Sequence, residues 1–326
     1  AIFCLETAPL SKVREDLPAF AKLLASSAYI IITDPLPEIC MVRFRKETRL
    51  VMLCKNAFPL YDQGFQTDFF LKWKVKYRML AGQNDISVMQ IPAPAREEFF
   101  SRNYLSGRTA RCDLTGCCST DVYFDKANEK AAKEKLLKLY PETADKKVLL
   151  YMPSPRPRKE CKSWCSMLNM ESLARLISGE YYALVYLGAG GMEGYDNIVE
   201  IEGFSKIVTK EMNIRELLMA ADVIVGDYRD TFFEAALLHK PMFSTAFDYE
   251  KRIRIRNMSM NANDFDRFLF CPLVSSSEEL AAGLSNLSSF DYGPMEEFFA
   301  YALSGCDGNS AGRAAKYLIN ERTSKP

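Results

Sequence analysis

The chain has 326 residues, 48% of them apolar and 26% charged, which suits a globular protein of two domains and excludes a disordered or fibrous one. Lysine plus arginine and aspartate plus glutamate both number 42, so no net charge favours nucleic acid or an anionic membrane as partner. The apolar runs are too short to span a bilayer, and the N-terminus lacks a signal-peptide pattern, which predicts a cytoplasmic protein.

Short apolar runs rich in Val, Ile and Tyr alternate with stretches of helical period, which is typical of parallel βαβ units. In the first half this pattern predicts helix 17–26, strands 29–33 and 50–54, helix 68–80, strand 86–89, helix 96–104, an extended segment 113–116 and helix 126–139. Polar, breaker-rich residues from 141 to 147 predict a hinge. We therefore expect two lobes, residues 1–142 and 143–326.

The second half repeats the alternation. It predicts strand 148–152, helix 170–178, strands 182–187 and 198–202, helix 214–220, strand 223–225, helix 231–238, strand 242–245 and helices 277–287, 295–303 and 311–319. A tight turn at Gly226 and Asp227 separates a buried strand from the helix after it. The fold class predicted is α/β, with parallel sheets in two Rossmann-like lobes.

The cysteines, ten in all, are scattered through the chain without a pair of CxxC motifs. They are predicted to be reduced and mostly buried. Cys161 and Cys165 form a lone CxxxC without a nearby histidine, so we expect no metal site.

The turn from Gly226 to Thr231 carries groups of the kinds that phosphate sites use, and we expect it to bind a phosphate. Gly226 permits close backbone approach, Arg229 offers a charged fork, and Thr231 adds a hydroxyl at the start of a helix. A solvated loop cation is the alternative interpretation of Arg229. Asp230 is interpreted as the N-cap of the helix, and Asp227 as a structural residue of the turn.

Three segments resemble one known family in order and spacing. ADVIVGDYRDTFFEAALLHKPMF, with FDYE close behind, is similar to the segment aDvlItDYSSvmFDfalL.rPiiFyayD of the bacterial CDP-glycerol glycerophosphotransferases. Upstream, VLLYMPSPRPRK resembles the family's vLYAPTfRd, and downstream CDGNSAGRAAKYL resembles its DGkaseRvv. The resemblance runs from about residue 28 to residue 318.

The resemblance implies a GT-B-like architecture, two Rossmann-like lobes with a cleft between them. Residues 1–142 would form the acceptor-side lobe. Residues 143–326 would form the donor-nucleotide lobe, with the last helix packing back on the first lobe.

The family also suggests roles for single residues. Arg156 matches a family arginine and is expected to bind phosphate, with a charged loop as the alternative. Glu234 stands at a family acid and is expected to bind ribose hydroxyls, with a surface helix acid as the alternative. Arg313, in the terminal segment, is expected to reach a phosphate or to form an ion pair with an inter-lobe carboxylate.

Several positions depart from the family. Its Ser-Ser pair is replaced by Arg229 and Asp230. Its WHG motif, whose histidine is the expected general base, reads Cys54-Lys55-Asn56, and its HP pair corresponds to Gly188-Ala189. Lys55 is therefore the candidate base, provided that burial lowers its pKa. The chain has one histidine; it is His239, which we interpret as a capping or packing residue.

The resemblance implies transfer of polyol phosphate from CDP-glycerol or CDP-ribitol in the synthesis of a teichoic-acid-like surface polymer. The expected partners are this nucleotide-diphosphate donor and a polyol-phosphate or glycan acceptor, with a lipid-linked acceptor as one alternative. No cofactor is expected. A peripheral position at the inner face of the plasma membrane goes with such an acceptor. Two alternatives stay open: a catalytically degenerate nucleotide-binding or interaction module, and a GT-B glycosyltransferase that uses another nucleotide sugar.

Overall fold

The structure is a computed structural model that describes residues 17–33, 44–58, 86–104, 111–154, 168–188, 198–208, 211–247, 249 and 269–323. Its strands form two sheets, and the recorded strand pairs of both are parallel. Helices lie between several of the successive strands in the chain order. The predicted α/β class is confirmed.

Contacts divide the chain into two compact units. The first comprises residues 1–55, 63–91 and 97–113, and the second comprises 56–62, 92–96 and 114–326. Two short segments from the N-terminal half therefore belong to the second unit. The single boundary between residues 142 and 143 stays a prediction.

The first unit holds a four-stranded sheet in the order β1-β2-β3-β4. Its elements are α1 (Leu17–Ser26), β1 (Tyr29–Ile32), β2 (Arg49–Met52), β3 (Ile86–Ile91), α2 (Glu97–Tyr104) and β4 (Arg111–Leu114). Most of the side chains of β2 are buried, as expected for a central parallel strand with both faces covered. The predicted helix 68–80 lies outside the described residues.

The second unit holds a five-stranded sheet in the order β7-β6-β5-β8-β9. Its strands are β5 (Lys147–Met152), β6 (Tyr181–Tyr186), β7 (Ser205–Val208), β8 (Val223–Gly226) and β9 (Met242–Ser244). β5 lies in the middle, and Leu149 and Leu150 on it are fully buried. The apolar run that predicted this strand therefore reflects burial on both faces.

The helices of this unit are α3 (Lys126–Leu139), α4 (Met170–Ile177), α5 (Ile214–Ala220), α6 (Asp230–Glu234), α7 (Ser277–Ser285), α8 (Gly293–Ala302) and α9 (Ser310–Thr323). Local chemistry sets several of their starts. Asn213 and Glu216 form a capping box at α5, and Asn169 and Ser276 cap α4 and α7. The predicted helix 231–238 is instead a short α-helix followed by a 3₁₀ turn, Ala235–Leu238.

One predicted strand is wrong. The sequence predicts a strand at 198–202, but the strand that joins the sheet is Ser205–Val208, paired with β6 from Ala183 to Tyr186. Residue Ile201 only makes an isolated bridge with Ser205. Both segments are rich in β-branched residues, and pairing with β6 decides between them.

Among the described residues, no helix is long and apolar enough to cross a membrane. The cysteines in this part of the chain are present as thiols, and Cys54, Cys117, Cys271 and Cys306 are buried. This fits the predicted buried thiols.

Candidate functional site

The strand order of the second unit reverses between β5 and β8. From β5 the chain proceeds outward to β6 and β7, and it then returns to the other side of β5 with β8 and β9. In open parallel sheets, ligands bind beyond the carboxyl ends of the strands at such a reversal. The segments at this place are 153–154 after β5 and 227–229 after β8, and we call them the switch point.

Asp227 ties the two segments of the switch point together. Its Oδ1 accepts hydrogen bonds from the backbone N–H of Ser154 at 2.8 Å and of Tyr228 at 2.6 Å. The side chain is buried at 1% exposure. A buried carboxylate is tolerated here because backbone amides stabilise its charge. This geometry agrees with the structural role predicted for Asp227.

Gly226 ends β8 in close contact with protein atoms. A Cβ at this position would lie 2.5 Å from Cδ2 of Phe232 and 3.0 Å from Cγ of Met152. The backbone oxygen of Gly226 also accepts a hydrogen bond from the N–H of Thr245 at 2.7 Å. Packing therefore explains the glycine, and its predicted approach to a phosphate stays a prediction.

Arg229 reaches across the carboxyl ends of the neighbouring strands. Its Nε donates to the backbone oxygen of Pro153 at 2.8 Å, and its Nη2 donates to that of Leu187 at 2.9 Å. Its guanidinium carbon lies 5.4 Å from the ring centroid of Tyr186, close enough for a cation–π contact. A cation is thus held at the switch point by groups from the ends of two other strands, β5 and β6.

Asp230 is not the N-cap of α6. Arg229 occupies the cap position, and Asp230 is the first helical residue. The Oδ2 of Asp230 instead accepts a hydrogen bond from Nδ2 of Asn56 at 2.8 Å, and this pairing corrects the N-cap prediction. Thr231 is half-buried in the first turn of α6, and its contact with phosphate stays a prediction.

Glu234 is fully buried, with 0% exposure. Its Oε2 lies 2.9 Å from Nη2 of Arg215, and its Oε1 accepts the backbone N–H of Ala57 at 3.0 Å. Burial raises the pKa of this carboxyl, although Arg215 and the Ala57 amide both act to lower it. Contact with a ribose would require these partners to give way, and the ribose role stays a prediction.

The segment Asn56 to Phe58 lies against α6. Besides the hydrogen bonds from Asn56 and Ala57, the ring of Phe58 stacks on Phe233 with centroids 4.9 Å apart. The guanidinium carbon of Arg96 lies 4.3 Å from the Phe58 ring centroid. Two hydrogen bonds and one stacked pair therefore fix this segment to the helix that follows the switch point.

Arg313 is engaged by protein groups at the start of α9. Its Nη1 pairs with Asp307 at 2.8 Å, its Nε donates to the backbone oxygen of Thr115 at 3.1 Å, and its Nη2 donates to that of Gly305. The side chain of Asp121 accepts the N–H groups of Ser310 and Ala311. The recorded ion pair is a local one with Asp307, and both the phosphate role and the inter-lobe ion pair of Arg313 stay predictions.

The remaining candidates are less informative. Arg156 lies outside the described residues. Lys55 follows β2 with an exposed side chain, whereas its predicted role as a base requires burial. His239 adopts a left-handed conformation at the end of the 3₁₀ turn and stacks on Tyr292 with centroids 4.4 Å apart. That geometry fits the capping or packing role.

Sequence reasoning missed Ser154 and Arg215, and it missed the partner of Asn56. A signal for Ser154 was present, because the family segment has a threonine at the matching position. Arg215 and Asn56 carry no local signal, since their partners lie 19 and 174 positions away along the chain. Across the described ranges, no group of three or more His, Cys, Asp or Glu side chains is placed to hold a metal ion.

The two parallel sheets and the strand-order reversal define an α/β protein of the GT-B-like class, and solved structures support this fold. The wall teichoic acid polymerase TagF has a TM-score of 0.69 at 19% identity, covering 86% of this chain and 70% of that one. UDP-GlcNAc 2-epimerase from Neisseria meningitidis, bound to UDP-GlcNAc, has a TM-score of 0.58 at 12% identity over 98% of this chain and 84% of that one. The predicted GT-B-like fold is confirmed.

The family model described as CDP-Glycerol:Poly(glycerophosphate) glycerophosphotransferase matches residues 9–320. The chain belongs to this family, and the resemblance seen in the sequence is confirmed. The teichoic acid poly(ribitol-phosphate) polymerase of Bacillus spizizenii is 27% identical over 97% of this chain and 50% of its own length. The teichoic acid poly(glycerol phosphate) polymerase of Bacillus subtilis is 31% identical over 49% of this chain and 22% of its own length. The chain thus spans about half, or less, of these two relatives.

Proposed function

We propose that the chain carries out transfer of polyol phosphate from CDP-glycerol or CDP-ribitol to an acceptor hydroxyl, in the synthesis of a teichoic-acid-like cell-wall polymer. The acceptor oxygen attacks the β-phosphorus and forms the new phosphodiester bond. The bond from that phosphorus to the bridging oxygen breaks, its electron pair stays on the bridging oxygen, and CMP leaves. The acceptor proton passes to a base.

The observation that carries this proposal is the position of segment 221–247, whose turn lies at the strand-order reversal between β5 and β8. A nucleoside diphosphate needs cations and hydrogen-bond donors where charge develops during phosphoryl transfer. Arg229 supplies a guanidinium at this place. Arg156 follows the β5 segment in sequence, and we propose that both arginines contact the donor diphosphate. Positioning and charge stabilisation then account for most of the rate enhancement.

We retain the other predicted contacts as parts of this proposal. Gly226 and Thr231 frame the turn, Arg313 is a further candidate for the phosphates, and Glu234 is the candidate for the ribose. The acceptor is a polyol-phosphate or glycan chain, and a lipid-linked acceptor would bring the protein to the inner face of the plasma membrane. Co-sedimentation with lipid vesicles, with and without acceptor, tests that location.

One observation favours a second candidate, a family member that binds the donor without transferring it. The chain has one histidine, and its Nε2 lies 3.4 Å from Oε1 of Glu296 on an exposed surface. At the two positions matching family histidines the chain has Lys55 and Gly188. A protein that retained donor binding and lost the base would lack histidine at these two positions, as this chain does.

Calorimetry and a product assay separate these functions. The full-length protein is titrated with CDP-glycerol, CDP-ribitol, CMP and a panel of UDP- and GDP-sugars, and release of CMP is followed with acceptor present. We expect one CDP-polyol to bind and CMP to be released. Binding without CMP release would support the second candidate, and preferential binding of a UDP- or GDP-sugar would contradict the CDP-polyol donor.

Replacing Lys55 with methionine tests the candidate base. Because general acid–base groups contribute about 10²–10⁴-fold, a base at position 55 predicts that Lys55→Met lowers the rate of CMP release by that factor and leaves the donor dissociation constant unchanged. The exposed position of Lys55 predicts instead that the rate stays unchanged. Lys130→Met is the matched control, since the Lys130 side chain is 79% exposed on α3. A rate for Lys55→Met equal to that of the control would exclude Lys55 as the base.

A further inference from the structure

The hydroxyl of Ser154 is buried without a partner. Ser154 is 3% exposed, and its backbone N–H donates a hydrogen bond to Oδ1 of Asp227. Its Oγ has no hydrogen-bond partner within the described part of the chain. A buried hydroxyl in this state is costly, and it calls for an explanation such as a ligand that is absent. Because Ser154 lies at the switch point, where open parallel sheets bind ligands, we explain this hydroxyl by a ligand.

A second group with unused hydrogen-bonding capacity lies at the switch point. Arg229 uses Nε and Nη2 to bind the backbone oxygens of Pro153 and Leu187. Its Nη1 is directed to the space over Gly188, because a Cβ on Gly188 would lie 3.0 Å from Nη1. Among the contacts recorded for the described residues, Nη1 makes no hydrogen bond. The absence of a side chain at 188 leaves room for this guanidinium.

These groups have the chemistry of an anion subsite. The Nη1 group of Arg229 and the hydroxyl of Ser154 can both donate hydrogen bonds. They lie on neighbouring segments, because the Nε of Arg229 donates to the backbone oxygen of Pro153, the residue before Ser154. The carboxylate of Asp227 is the one acid of the switch point, and its Oδ1 is directed at two backbone N–H groups. A phosphoryl group suits this set better than a neutral sugar hydroxyl, because the guanidinium charge is permanent.

We propose that Ser154 Oγ and Arg229 Nη1 together bind the β-phosphoryl group of a nucleoside diphosphate at the switch point. This proposal rests on the proposed function, since it assigns one phosphate of the donor to two residues. Arg229 is held in position before the ligand arrives, so little side-chain freedom is lost on binding.

The first test uses Ser154→Ala with inorganic pyrophosphate, CDP and CMP as calorimetric probes. Removing a hydroxyl that lacks a partner should leave the melting temperature unchanged or raise it. The same change should raise the dissociation constants of CDP and pyrophosphate by about 10- to 100-fold, because a hydrogen bond to a charged group is lost. CMP, which has no β-phosphate, should change by less than about twofold. A purely structural serine would not separate stability from affinity in this way.

The second test uses Arg229→Lys, which keeps the charge and loses the planar fork. We expect CDP and pyrophosphate to weaken by about tenfold or more, with a smaller change for CMP. Arg175→Met is the matched control, because the Arg175 side chain is 76% exposed on α4. Circular dichroism of each variant shows whether the fold is retained, and Ser154→Ala decides the matter if Arg229→Lys does not fold.

The outcomes separate this proposal from the proposed function. If the wild type binds CDP and neither variant weakens it, the subsite is refuted and the donor site stands. Equal weakening of CMP and CDP would overturn the assignment to the β-phosphoryl group. A third outcome has two parts: both variants bind pyrophosphate more weakly than the wild type does, and the wild type binds CDP no more tightly than pyrophosphate. In that case the subsite stands and the CDP-linked donor is refuted. A wild type that binds neither probe overturns the subsite.

Discussion

Replacing Arg215 with methionine is expected to lower the free energy of unfolding by about 3–5 kcal/mol, because it leaves a buried charge without its partner. The carboxylate of Glu234 is fully buried and lies 2.9 Å from Nη2 of Arg215. Urea denaturation followed by circular dichroism measures the loss. The double variant Arg215→Met, Glu234→Leu removes both charges and should be more stable than Arg215→Met alone.

The same pair predicts a pH dependence with a definite sign. Burial raises the pKa of Glu234 in the folded protein above its ordinary value, and Arg215 opposes this. Without Arg215 the pKa rises further. A group with a raised folded pKa contributes stability below its unfolded pKa, and that stability is lost as pH rises through the folded value. The stability deficit of Arg215→Met relative to the wild type should therefore become smaller as the pH is lowered from about 8 to about 5. A deficit that is constant over this range would contradict the buried ion pair.

Replacing Gly116 with alanine is expected to cost about 3 kcal/mol or more, from a strained backbone together with a steric clash. Gly116 has φ of +83°, and a Cβ there would overlap the backbone oxygen of Gly305 and the hydroxyl of Ser310. The backbone cannot easily give way, because the N–H of Gly305 donates to the oxygen of Pro92 at 2.8 Å. The melting temperature and the urea midpoint both report the loss.

A matched control separates strain from clash. Gly203 also has positive φ, +72°, but a Cβ there would meet nothing within 4 Å. Gly203→Ala should therefore cost only the backbone contribution, about 1–2 kcal/mol. Equal losses for the two variants would mean that the contact with Gly305 and Ser310 contributes nothing.

The pairing of Asn56 with Asp230 shows where sequence reasoning stops. Both residues were recognised as departures from the family pattern, one beside the missing histidine and one in the altered phosphate turn. Their side chains are hydrogen-bonded although 174 positions separate them in the chain. Two residues whose departures from the family pattern appear independent in sequence are thus hydrogen-bonded to each other in the structure. The sequence alone favours a helix cap for Asp230, because an acid beside a diphosphate is unfavourable unless it points away.

The strand at Ser205–Val208 was missed for a related reason. Residues 198–202 have a better period-two pattern, and propensity alone favours them. The chain instead turns at residues 201–205, where the N–H of Ser205 donates to the oxygen of Ile201 at 2.8 Å. The N–H of Ala183 then bonds to the oxygen of Phe204 at 2.7 Å, which sets the register of β7. Strand choice is decided by the partner strand, which a single segment does not reveal.

The sequence by itself determined the order of nearly every described helix and strand, the α/β class and the family. These features depend on periods of two and 3.6 residues, on caps and breakers, and on ordered motifs, all of which are local. Only the tertiary structure decided what the charged residues contact. Arg229 contacts the ends of β5 and β6, Glu234 is buried against Arg215, and Ser154 keeps a hydroxyl without a partner. Each of these facts depends on which distant segments the packing brings together, and burial then sets the electrostatic cost.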